Sequence, residues 1–367
     1  MKIKKPTIIV DEERVRKNVE RMAKKAQKSG VRFRPHFKTH QSADIGEIFK
    51  EFGISVIAAS SIDMAAYFAK HDWKDITVAI PVNIRQIDEI NELAGKISLG
   101  LLVESIQSAK FLAENVLSSI NVWVEIDTGD RRTGVDWKNT EKIESIATII
   151  KESGNLSLSG ILTHAGQSYE KESIEAVKKV HRDSISQMNA VKDYLSSKGF
   201  IDIEISIGDT PTCSIMDDFS GVDEIRPGNF VFNDLLQVSI GSCVEEDIAI
   251  AVACPVISKH PERNELIIYG GGAHLSRDSL ERDGAQFFGL VALPTSMGWT
   301  SSMKNACVTK IVQEHGTIQA ERDFIDRISP GDLLMILPIH SCLTANLHQT
   351  YQTLNGKILK SFHYEIE

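Results

Sequence analysis

NVWVEID (Asn121–Asp127), TEKIESIATIIK (Thr140–Lys151) and LSLSGILTH (Leu156–His164) follow one another as a short β-branched run, an amphipathic stretch and a second β-branched run. Strand, helix, strand in that order makes the two strands parallel, because parallel neighbours need a long crossover connection. The same alternation extends in both directions. Upstream lie Val31–His36, Ser55–Ala59, Ile76–Pro81 and Ser98–Val103, and downstream lie Ile203–Gly208 and Asp223–Asn229. Helical patterns separate most of these runs. Asp11–Ser29 is the clearest: Val15, Val19, Met22 and Ala26 share a face and Gly30 stops it. Ser42–Phe52, Ser61–Lys70, Arg85–Leu93, Ser105–Leu117 and Ser173–Ser197 read alike. Only the connection between the seventh and eighth runs is short, with room for one helical turn. Eight strand–helix repeats predict an α/β fold with a (β/α)8 TIM-type barrel over residues 11–237, the alternative being an open doubly wound sheet.

After Val238 the pattern changes. Asp247–Val256, Glu265–Tyr269, Ala306–Val312, Asp332–Leu337 and Lys357–His363 read as strands between polar and glycine turns. This predicts a second, mostly β domain at the C-terminus. The opening run Lys2–Val10 also reads as a strand and could join either domain. Grouped with the second, it gives a domain of residues 1–10 plus 238–367.

Composition narrows the function. Lys plus Arg is 41 and Asp plus Glu is 50, a net charge of −9. That disfavours nucleic acid and anionic membrane as partners. No segment approaches the roughly 18 consecutive apolar residues of a membrane helix, and the run Thr7–Val10 is too short for a signal peptide. Five cysteines scattered over 367 residues suggest a reducing compartment, so we expect a soluble cytoplasmic protein.

Reactive groups of an α/β barrel stand at the C-terminal ends of its strands. The first run ends in Arg34-Pro35-His36-Phe37-Lys38-Thr39-His40. A lysine at the end of a buried strand loses water, which favours the neutral amine that a Schiff base needs. The alternative is a surface lysine just past the strand. The loop after the fifth run carries Arg132, which can reach a ring nitrogen or a carboxylate, or pair with a neighbouring acid. The sixth run ends at His164 and leads to Tyr169, which could stack on a planar cofactor or simply pack. Gly208-Asp209-Thr210 and Pro227-Gly228-Asn229, after the seventh and eighth runs, can present N–H groups and a hydroxyl to a phosphate, or serve as ordinary turns. Asp209 suits that role only if its charge points away. Farther on, Pro338-Ile339-His340-Ser341-Cys342 places an imidazole and a thiol two residues apart. On an extended segment both share a face and could bind zinc, or pack inertly. Two other motifs are set aside. Gly270-Gly271-Gly272-Ala273-His274 lacks the third glycine of a dinucleotide fingerprint and reads as a tight turn with no helix after it. His36 and His40 flank Lys38 on strand and loop, a poor metal pair.

Taken in order, these segments resemble the D-serine dehydratase / D-threonine aldolase family, which shares the alanine-racemase-like fold (fold type III). The resemblance covers nearly the full length. It rests on Pro35 through His40, Asp127-Thr128-Gly129 through Arg132-Thr133-Gly134-Val135, His164 through Tyr169, Thr210-Pro211-Thr212, Glu224 through Asn229, Glu314-His315-Gly316, His340-Ser341-Cys342 and Asn346-Leu347-His348. It implies pyridoxal 5'-phosphate as cofactor, with Lys38 as the Schiff-base lysine and Arg132 against the pyridine nitrogen. His164 and Tyr169 would lie around ring and phosphate, and Gly208, Thr210, Gly228 and Asn229 would hold the phosphate. It also implies a divalent metal, zinc or else manganese or another ion, on His340 and Cys342. The catalytic set is then Lys38, Arg132, His340 and Cys342, and members are typically homodimers. Three departures concern the substrate: Gln41 where many relatives have lysine, Asp209 where serine is common, and His274 where lysine is frequent.

The resemblance implies a lyase acting on small D-β-hydroxy amino acids. β-Elimination would give a 2-oxo acid and ammonia, as in a D-serine dehydratase. The alternative is retro-aldol cleavage, as in a D-threonine aldolase. Cysteine at the second metal position is the dehydratase-like choice and aspartate the aldolase-like one. A racemase, or a non-catalytic pyridoxal-phosphate carrier, are further alternatives.

Overall fold

The computed structural model describes residues 2–365. Residues 1, 366 and 367, which the expected second domain includes, lie outside the described residues. The chain divides into two compact units. One runs to Val19, continues with Thr39–Ile48 and resumes from Asn229; the other comprises Glu20–Lys38 and Phe49–Gly228.

The second of these is the barrel. Its parallel strands are Arg32–Phe33, Val56–Ala59, Asp75–Pro81, Ser98–Val103, Ile120–Asp127, Leu156–Thr163, Glu204–Ile207 and Glu224–Ile225. From the second strand on each pairs with the next, the last pairs with the first, and a single parallel bridge from His36 to Ala58 closes the ring between the first and the second. Closure rules out the open sheet. The helices start where short polar side chains can cap them: Ser61 accepts from the Met64 N–H, Ser105 from Ser108, Asn139 from Lys142 and Ser173 from Ala176. The connection between the last two strands holds only the six-residue helix Thr210–Ile215, as its length predicted.

Inside the barrel Leu102, Trp123 and Leu162 form an apolar cluster. Charges also run through the interior. Arg34 Nε donates to Glu224 at 2.8 Å and Nη1 to Asp75 at 2.6 Å, while Arg32 Nε reaches Glu224 at 2.6 Å. Burial favours the protonated form of Glu224, but the two arginines outweigh it and hold its carboxyl below the ordinary range. Ser206 Oγ donates to Glu224 at 2.7 Å and accepts from Arg226 Nε at 2.7 Å. This string of bonds, Arg34–Glu224–Ser206–Arg226, links strand bases to the mouth.

The other unit is built on antiparallel strands. Ile250–His260, Glu265–Tyr269, His315–Gln319, Cys307–Ile311, Gly289–Ala292 and Leu333–Pro338 close a ring of their own. The eleven-residue strand Ile250–His260 makes closure feasible, since a register shift between Val256 and Ser258 lets it bend. The opening strand Thr7–Val10 joins this sheet, antiparallel to Ile250–Ala253 and parallel to Tyr351–Thr353. Ile9, Leu235, Met335 and Leu337 belong to its core. Thr39–Ile48 belongs here because the Tyr351 hydroxyl donates to His40 O at 2.9 Å and Gln41 Nε2 to Asn346 at 3.0 Å.

Three local expectations are corrected. Lys357–His363 is a strand only over Ile358–Lys360, and a helix begins at Phe362. Gly270–Leu275 is not a bare turn, for Gly272–Leu275 makes one helical turn. Finally, His340 and Cys342 do not lie on an extended segment. The strand ends at Pro338, and His340 is the N-cap of the helix Ser341–Asn346.

Candidate active site

The chain leaves the first barrel strand through a turn at residues 37–40. Phe37 is buried there against Phe49, Phe68 and Trp73. Anchoring Phe37 turns the next side chain outward, so Lys38 is exposed. The expectation of a dehydrated lysine is therefore not met within this chain, and the surface position just past the strand is the observed one. Its charge nevertheless reaches the ring of His164. Burial first, then the positive charges of Lys38, Arg132 and Arg226, lower that imidazole to about 3. His164 is thus neutral at physiological pH. Its Nδ1 meets the Gly208 carbonyl, which can only accept. The proton therefore sits on Nδ1 and Nε2 keeps its lone pair.

Arg132 comes from a loop that folds back on its own strand. Val135 and Asp136 pair with Ile126 and Asp127. Gly134, at φ +99°, lies where a Cβ would be 2.7 Å from the Asp127 nitrogen, so glycine is required. The Arg132 side chain is 59% exposed and Nε lies 3.6 Å from Asp130. Arg226 is the contrasting guanidinium, fully enclosed, with Nη2 donating to the Thr163 carbonyl at 2.7 Å. Burial lowers it to about 10 against the pull of Glu224 and Glu125. Sequence reasoning gave Arg226 no role.

Gly208 and Thr210 form the corner beside it. A Cβ on Gly208 would stand 3.0 Å from both Cβ and Nη1 of Arg226. The Tyr169 hydroxyl accepts from the Thr210 N–H at 3.1 Å, and the rings of His164 and Tyr169 lie 6.1 Å apart. Thr210 Oγ1 is buried with no hydrogen-bond partner among the described residues. Asp209 does point away: it caps the helix Thr210–Ile215 by accepting from Thr212 N–H at 2.8 Å and Oγ1 at 2.7 Å, and also from Ser168 at 2.9 Å. Burial pushes it up to about 6. Lys38, Arg132, His164, Tyr169, Gly208, Thr210 and Gly228 all belong to the barrel unit.

His340, Cys342 and Asn229 belong to the other unit. Asp278 Oδ2 lies 2.8 Å from His340 Nδ1. Burial lowers the imidazole, but its hydrogen bonds to Asp278 and Cys342 prevail and hold it up at about 10. Cys342 Sγ also has Thr39 Oγ1 at 3.2 Å and Asn229 Nδ2 at 3.5 Å. Thr39 follows Lys38 in the chain, and Asn229 follows Gly228. Asn229 Nδ2 donates to Asp234 at 2.7 Å, while its buried Oδ1 has no partner among the described residues. The Asn229 side chain is therefore committed to the cysteine's surroundings. Asp234 and Asp278 were missed from sequence. Asp234 had an N-cap signature, since its carboxylate accepts from the Gln237 N–H at 2.9 Å; Asp278 had none.

The family of the alanine racemase N-terminal domain matches residues 10–235, and that of a putative serine dehydratase domain matches residues 249–354. D-threo-3-hydroxyaspartate dehydratase of Delftia sp. (strain HT23) is 31% identical over 95% of this chain and 93% of its own. D-serine dehydratase of Dictyostelium discoideum is 30% identical over 97% and 95%. A metal-free cysteine-to-alanine variant of D-threo-3-hydroxyaspartate dehydratase superposes with a TM-score of 0.91, at 28% identity, over 98% of both chains.

Proposed function

This chain belongs to the family that joins an alanine racemase N-terminal domain to a serine dehydratase domain, and on that premise we propose that it is a pyridoxal-phosphate- and metal-dependent lyase of D-β-hydroxy amino acids. The reaction is β-elimination of water to an enamine, which takes a water back by hydrolysis to give a 2-oxo acid and ammonia. The observation that carries this reading is the barrel mouth, where Lys38, Arg132 and Arg226 all act on the His164 ring. One primary amine, two guanidiniums and a flat neutral imidazole suit a planar anionic cofactor. The fit is supported by the Gly208 corner, which has no side chain, and by the buried Thr210 hydroxyl, which has no hydrogen-bond partner among the described residues. An imidazole and a thiol that hydrogen-bond one another suit a divalent ion, and the relative studied in a metal-free form supports the same assignment.

When bound, the cofactor supplies an electron sink and the divalent ion supplies Lewis acidity toward a β-oxygen. The residues do the rest. Lys38 would hold the cofactor, and its amine would take the Cα proton. Arg132 answers the pyridine nitrogen, and Arg226, beneath the same corner, is the second guanidinium available to the ring. His164 would face the ring and Tyr169 the phosphate. Gly208, Thr210, Gly228 and Asn229 hold the phosphate, Asn229 through its backbone, since its side chain is engaged elsewhere. His340 and Cys342 are the metal ligands, and zinc is the ion their softness favours.

The enzyme is assigned to the cytoplasm, where its cysteines, none of them in a disulfide, stay reduced. Among the described residues no helix is long and apolar enough to cross a membrane. A homodimer is part of the proposal. Leu343, 46% exposed on the helix that carries Cys342, and Leu347, 43% exposed at its C-cap, give an apolar pair for a second copy to cover.

Incubation with D-threonine tests the reaction. The proposal expects 2-oxobutanoate and ammonia. Glycine and acetaldehyde as main products would replace the dehydratase with an aldolase.

A further inference from the structure

The motif Gly270-Gly271-Gly272-Ala273-His274 has no part in the reaction described above, yet the structure ties it closely to the metal-ligand corner. The Gly270 N–H donates to Glu314 O at 2.9 Å, Gly272 to Val312 O at 2.7 Å and Ala273 to Gln313 O at 3.0 Å. A Cβ on Gly271 would lie 2.3 Å from Val312 O and 2.6 Å from Gln313 O, so only glycine lets the backbones meet. One turn later the segment is held again, by side chains on or just after the helix Ser341–Asn346. His348 Nε2 donates to His274 O at 3.0 Å and Thr344 Oγ1 to Leu275 O at 3.1 Å. Ser276 then takes φ +68° and ψ −177°, a conformation that favours glycine. Its hydroxyl accepts from the Asp278 N–H at 3.3 Å. The chain is thereby turned so that Asp278 Oδ2 stands 2.8 Å from His340 Nδ1.

We propose that Asp278 is a positioning residue for the metal site, fixing the His340 ring, and that residues 270–278 are the clip that holds it in place. The proposal rests on the reading of His340 and Cys342 as metal ligands. A carboxylate at Nδ1 keeps one proton there, so that binding an ion at Nε2 displaces only the second proton of the metal-free ring. Asp278 stands at the ring edge opposite Nε2, so it orients the ring and does not join the ion. Stability gives no reason for the contact. The two side chains are 37% and 28% exposed, and ion pairs that wet contribute little to folding.

The test uses the cofactor-loaded protein stripped of metal and titrated with Zn2+ against a chromophoric chelator. Asp278→Ala should weaken Zn2+ binding about 10- to 100-fold, with the cofactor spectrum and far-ultraviolet circular dichroism unchanged. Asp278→Asn, whose amide oxygen still accepts from Nδ1–H, should fall between that variant and the parent. It carries the comparison if the alanine variant does not fold. A purely structural role would lower the melting temperature of the metal-free chain and leave Zn2+ affinity alone. Affinity within twofold of the parent in both variants overturns the proposal. The underlying reading fails separately, and takes the positioning role with it, if the parent binds no Zn2+ or if Cys342→Ala binds it equally well.

Discussion

Gly208 is small because Arg226 needs the room. Gly208→Ala would bring a methyl group to 3.0 Å from the arginine's Cβ and Nη1. Overpacking of this kind costs about 1–3 kcal/mol. We expect a lower melting temperature and weaker cofactor binding, read by equilibrium dialysis against pyridoxal phosphate; unchanged affinity would detach this corner from the site. Cys342→Ala, or chelation of the metal, should abolish turnover while leaving the cofactor's colour, which absorbance and a product assay separate. Residues at strand ends were legible in the sequence because a barrel puts strand ends on one rim. Lys38 was placed at a strand end this way, but its exposure was not foreseen, since burial of Phe37 alongside three aromatic rings depends on distant partners. Asp278 was invisible for a similar reason. It meets His340 across 62 residues of chain, and no local periodicity marks such a pair.

Among the elements, the strand Leu156–Thr163 shows how closely the sheet is packed. Gly160 sits at its register shift, at φ +158°, where a Cβ would be 2.1 Å from the Glu204 carbonyl of the next strand. Gly160→Ala should separate these strands at a cost of about 3 kcal/mol, roughly 6–12 °C in the midpoint of a thermal melt. A melt within a degree or two of the parent would contradict that packing. The eight parallel strands were readable because most lie in apolar, largely β-branched runs set apart by helices of distinct period. The short strands Leu280–Arg282, Ala285–Phe287 and Pro294–Thr295 were not. Two or three residues are too few for alternation to register, and their pairing is set by neighbours in the sheet. The helix beginning at Ser341 was hidden for another reason. Six residues after a buried strand look like its continuation, so an N-cap histidine was read as an extended one.

At the scale of the whole molecule, acid should unfold the cofactor-free protein. Burial lowers His40 and His164 to about 3, and His181 and His348 to about 4. Unfolded histidine titrates near 6.5. Between those values the unfolded chain binds more protons, so stability present above pH ~6.5 is lost as pH falls toward 4 and 3. Asp209, raised to about 6, acts with the opposite sign over roughly pH 4–6, and His340, held up at about 10, does so above pH ~6.5, but four groups outweigh two. Thermal melts at pH 7 and 4.5 should show the lower midpoint at 4.5; a flat or rising midpoint would contradict the buried, neutral state of these rings. The two-part fold was legible from the change of pattern near Val238, whereas the inclusion of Thr39–Ile48 with the β unit was not, because it depends on bonds such as Tyr351 to His40. The account as a whole depends on Lys38 carrying the cofactor. Borohydride reduction of the loaded enzyme, followed by digestion and peptide mass spectrometry, tests this most directly. The reduced cofactor is predicted on the peptide containing Lys38, and its recovery on another lysine, or on none in an active preparation, would contradict the account.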